Sequence, residues 1–82
     1  MPIAKVFGGQ KLQKEADLTL DINGSRTVFS LPENIDTTTL RVFVNGLMQR
    51  YGDTITAISV SSFTLSYAPT IGEALVVLYV PL

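Results

Sequence analysis

The chain has 82 residues, enough for one domain whose core is marginal unless something reinforces it. It contains no cysteine and no histidine, so disulfides are impossible and zinc, copper or haem would lack their usual ligands. A net charge of -1 gives no basic footprint for nucleic acid, and no apolar run nears the roughly 18 residues of a membrane span.

With 46% hydrophobic and only 16% charged residues, and a mean hydropathy of +0.34, the composition points to partner chains as the reinforcement. A homo-oligomer, dimer or trimer, is the expectation. No cofactor and no small-molecule substrate is expected.

Residues 1–15 ("MPIAKVFGGQKLQKE") stand apart from the rest. They hold three of the six basic residues, a Gly8-Gly9 pair and one short apolar patch with Ile3, Val6 and Phe7. Such a segment reads either as an arm that docks on a neighbour or as a first edge strand followed by a loop. The patch has no secretory h-region around it.

From residue 16 to 82 the apolar period is two, the mark of half-buried strands. Leu18, Leu20 and Ile22 alternate with Asp17, Thr19 and Asp21, which predicts a strand ending at an Asn23-Gly24 turn. Residues 26–31 ("RTVFSL") form a second strand, stopped by Pro32. "PENIDTT" reads as polar connection. Strands follow at 39–44 and 47–51, then at 54–60 and 63–67 with a tight reversal at Ser61-Ser62.

The final segment, 74–80 ("ALVVLYV"), is apolar at nearly every position. A strand covered on both faces, or one at a subunit interface, has this composition. Val76, Leu78 and Val80 are therefore interface candidates, with Ile3, Val6 and Phe7. The fold class is all-β: a small antiparallel sandwich or barrel of about seven short strands, with a less regular N-terminal arm.

Asn45-Gly46 in "VFVNGLMQRYGD" is the strongest hairpin signal in the chain. A two-residue type I′ loop pairs Val44 with Leu47, Phe43 with Met48, Val42 with Gln49, and Arg41 with Arg50. The last pair opposes two guanidinium groups and needs an anion, from Asp53 or Glu33 within the chain or from a partner's acidic surface, unless a bulge shifts the register.

Catalytic chemistry finds little to stand on. Without histidine the serines have no plausible base, and no Gly-rich loop precedes a helix. "DINGS" is a fragment of a calcium loop without its remaining oxygen ligands or closing glutamate. An enzyme is not expected.

The order of the motifs is informative. "RTVFSLPENIDTTTLRVFVNGLMQRYGDTIT…FTLSYAPTIGEALVVLYV" resembles a module recurrent in tailed-bacteriophage virion proteins, over residues 26–80. That pattern has an F-x-L-P strand, a "VFVNG" hairpin, a G-D corner, a "tL-x-y-aP" strand and a closing apolar strand. Its aromatic after the corner is replaced here by Thr54-Ile55. A chain of this length beginning at Met looks like a free-standing accessory protein. The resemblance implies a capsid cement or decoration protein, bound to the major capsid protein on the outer head surface and present in the host cytoplasm during assembly. It equally accommodates a tail, neck or head-fibre adaptor. A receptor- or carbohydrate-binding module is a third reading, for which Tyr51, Tyr67 and Tyr79 are the only tyrosine platforms.

Overall fold

The computed structural model describes residues 12–82. Seven strands run through them: β1 (Lys14–Asp17), β2 (Val28–Ser30), β3 (Arg41–Val44), β4 (Leu47–Gln49), β5 (Ile55–Ser59), β6 (Ser62–Leu65) and β7 (Leu75–Tyr79). They form two antiparallel sheets, one ordered β1-β7-β3-β4 and the other β2-β6-β5. The all-β expectation and the count of about seven strands hold, and the arrangement is a two-sheet sandwich.

The inner faces of both sheets meet in one core. Val42, Val44, Leu75, Val77 and Tyr79 come from the first sheet; Phe29, Ile55, Phe63 and Leu65 come from the second. Phe29 and Phe63 are cross-strand partners on β2 and β6, with ring centroids 5.7 Å apart. That pairing is worth about 0.5–1.5 kcal/mol beyond its buried area.

The strand expected over 18–22 is instead a 3₁₀ turn, Thr19–Asp21. The Asp17 carboxylate accepts the Thr19 amide at 3.0 Å, and this local bond competes with extension. Leu18 and Ile22 are buried as the period demanded, but Leu20 is 98% exposed. β1 lies just before, at 14–17, so the division drawn between residues 15 and 16 falls inside a strand.

"PENIDTT" is more than a connection. Ile35 is fully buried, and Asp36 caps a second 3₁₀ turn, Thr37–Thr39, by accepting from the Thr38 amide and hydroxyl. The segment laces the sandwich together. The Leu31 and Ile35 amides donate to Ser61 and Val60 of the second sheet's turn, while Asp36 donates to Val80 beside the first. The Thr39 hydroxyl accepts the Val80 amide at 2.8 Å.

Two boundaries shift by a residue or two. The reversal between β5 and β6 is Val60-Ser61, because Ser59 and Ser62 pair and their hydroxyls bond at 2.8 Å. β4 stops at Gln49; beyond it the Arg50 carbonyl gathers the amides of Asp53, Thr54 and Ile55 into a tight corner.

β7 is central in its sheet, between β1 and β3. Among the described residues only one of its faces is fully covered. Leu75, Val77 and Tyr79 are buried inward, whereas Val76 and Leu78 are half-buried on the outer face. The continuous apolar run belongs to a central strand whose outer side is half-buried among the described residues.

Candidate functional site

The Asn45-Gly46 corner adopts the predicted I′ form, with φ of 52° and 82°. Its ladder is the expected one from Val44↔Leu47 to Val42↔Gln49. The corner also fastens the loop before β7. The Asn45 carboxamide donates to Glu73 (3.1 Å) and accepts the Ala74 amide (2.9 Å), and its own amide donates to the Ala74 carbonyl. Asn23-Gly24 is a turn too: Asn23 Oδ1 accepts the amides of Ser25 and Arg26, and Gly24 takes φ of 86°.

Bonds of this kind bring three loops to one end of the first sheet. Thr19, in the first 3₁₀ turn, accepts the Leu75 amide through its hydroxyl, and Leu18 donates to the Leu75 carbonyl. Asn45 holds residues 73–74 from the other side. This end displays Leu20 at 98%, Leu47 at 71% and Ile71 at 71% exposure. The sequence pattern does not reveal it, because Leu20 fits strand alternation, Leu47 opens the strand read at 47–51, and Ile71 lies in the loop between Pro69 and Gly72.

The interface candidates divide. Ile3, Val6 and Phe7 lie outside the described residues. Val76 and Leu78 sit on the outer face of the first sheet. Residues opposite each other in an antiparallel ladder share a face, so two rows cross it. One runs Asp17, Val76, Phe43, Met48; the other runs Glu15, Leu78, Arg41. The face is thus an apolar centre between flanking charges. Val80 is half-buried just past β7, with its backbone tied to Asp36 and Thr39.

Arg41 and Arg50 are not a ladder pair, since β4 ends before Arg50. Neither has the internal carboxylate that was expected. Among the described residues the single ion pair is Lys14 with Glu33 at 3.2 Å, and Glu33 also accepts the Tyr79 hydroxyl at 2.9 Å. Arg41 Nη1 donates to the backbone carbonyls of Leu40 (2.9 Å) and Thr38 (3.4 Å).

Both arginines nevertheless line one groove of about 590 Å³, where β4 at the edge of one sheet and β5 at the edge of the other leave the sandwich open. Leu40, Ile55, Ile58 and Gln49 are its more buried lining; Thr37, Thr38, Met48 and Tyr51 are exposed around it. Tyr79, by contrast, is core; burial first, then the Glu33 hydrogen bond and charge, raise its hydroxyl above the ordinary value.

No group of three or more carboxylates among the described residues is placed to hold a metal ion. No family model matches the sequence, and no curated protein or solved structure matches it significantly. The fold defines a small two-sheet β module.

Proposed function

We propose that the chain is a structural component of a tailed-bacteriophage virion, a cement or decoration protein that binds the assembled head and stabilises it. The observation that carries this reading is the exposure of Leu20, Leu47 and Ile71 on the loops and turn at one end of the first sheet. Three large aliphatic side chains held in water on one braced set of loops cost free energy unless a partner covers them. The motif order of residues 26–80, which resembles virion modules, supplies the kind of partner. The outer face centred on Val76 and Leu78 is the self-contact, giving a dimer or trimer, and the apolar end faces the shell. A protein that binds only the assembled shell stabilises it by mass action.

Quantitative mass spectrometry of purified particles tests this. A copy number matching the shell's own subunits is the expected result. A number matching the symmetry of the tail or neck assigns the chain to the adaptor role instead, and absence from particles overturns both.

A further inference from the structure

We propose that the groove between β4 and β5 binds an extended acidic peptide segment, seating its carboxylates on Arg41 and Arg50. This goes beyond a virion role and holds or fails on the isolated chain. Arg41 and Arg50 supply two of the chain's six basic side chains to one groove, with no ion-pair partner among the described residues. Like charges gathered on one concave surface repel, and an incoming anion relieves that repulsion. Arg41 is already oriented: two backbone carbonyls hold its Nη1 at 2.9 and 3.4 Å, so less side-chain freedom is lost on binding. A guanidinium fork also suits a carboxylate better than an ammonium does.

The rest of the groove selects a peptide over a free ion. Leu40 and Ile58 offer an apolar surface for one aliphatic side chain, and Gln49 an amide. Met48 offers backbone. Because Val44↔Leu47 flank a two-residue turn, the alternation of the ladder points the Met48 amide and carbonyl away from β3, toward the open edge. An extended segment laid there gains main-chain hydrogen bonds by strand addition. Nucleic acid is disfavoured because seven carboxylates against six Lys and Arg give the whole chain a net charge of -1, with no field to gather a phosphate backbone.

The test uses a fluorescein-labelled hexapeptide with glutamates on either side of a leucine, and a twin carrying glutamines. Fluorescence anisotropy should show the acidic peptide binding about tenfold more tightly, the worth of one charge-assisted hydrogen bond. Arg41→Gln and Arg50→Gln should each reduce that preference, and the double variant remove it, while leaving the thermal midpoint in place, since both side chains are exposed. Amide resonances of Met48, Tyr51 and Ile58 should shift on titration. The proposal is overturned by no binding, by equal affinity for the two peptides, by unchanged affinity in both variants, by shifts elsewhere, or by tighter binding of an oligothymidylate of equal charge.

Discussion

At Asn45 one residue performs two tasks that no other side chain combines. Its backbone enters the left-handed region at φ 52°, and its carboxamide bridges to Glu73 and Ala74. Asn45→Gly keeps the turn but removes both bonds, so it should cost about 1 kcal/mol and speed hydrogen exchange at the Ala74 amide. Gly46→Ala is different in kind. A Cβ there meets nothing within 4 Å, so the penalty is only the backbone strain at φ 82°, about 1–2 kcal/mol. Ala74 exchange should then change only with global stability. Denaturant melts paired with exchange separate the two variants.

The two 3₁₀ turns bring acid sensitivity at the scale of the element. Hydrogen bonds from the Thr19 side chain and amide hold the Asp17 carboxyl below its ordinary 3.8, and Thr38 does the same for Asp36. A depressed folded value means that each of these bonded carboxylates contributes fully above the unfolded value and fades as pH falls through the folded one. Stability should therefore decline below pH 3.8. Asp36→Asn, which still accepts from Thr38, should flatten part of that decline, whereas Asp36→Ala should lose the cap at every pH. Denaturant midpoints across a pH series check this.

β7 supplies a second test at this scale. Val77 is fully buried and Leu78 only half. Val77→Asp buries an unpaired charge at several kcal/mol, which rivals the total stability of about 4–12 kcal/mol expected for a domain this size. It should unfold the chain. Leu78→Asp should stay folded by circular dichroism and, on the proposed self-contact, sediment as a monomer.

For the whole molecule, residues 31–39 lace the two sheets together beside Val80, and at the opposite end of β7 three loops are stitched around Leu75, carrying the exposed Leu20, Leu47 and Ile71. Leu20→Asp with Ile71→Asp should leave the melting temperature within a few degrees, because both side chains are already exposed at 98% and 71%. The same pair should remove the chain from particles. Retention of the double variant at full occupancy, measured on purified virions, would count against the apolar end as the attachment surface.

Features that depend on neighbours along the chain can be read from the residues alone. The period of two locates most of the strands and Asn45-Gly46 sets a register that the ladder reproduces, while the apolar run at 74–80 indicates a strand covered on both faces or at a subunit interface and the sheet order makes it central. The Asp17 and Asp36 turns are legible in principle, as Asp two residues before Thr, but the alternation at 18–22 masks the local side-chain bond. The rest emerges when the two sheets pack. Which side of β7 stays open, which loops gather around Leu75, and that Arg41 and Arg50 share a groove without sharing a ladder pair all follow from two sheets closing over one core. Strand period records that a residue alternates in and out; it carries no information on which other sheet, if any, meets the outward side.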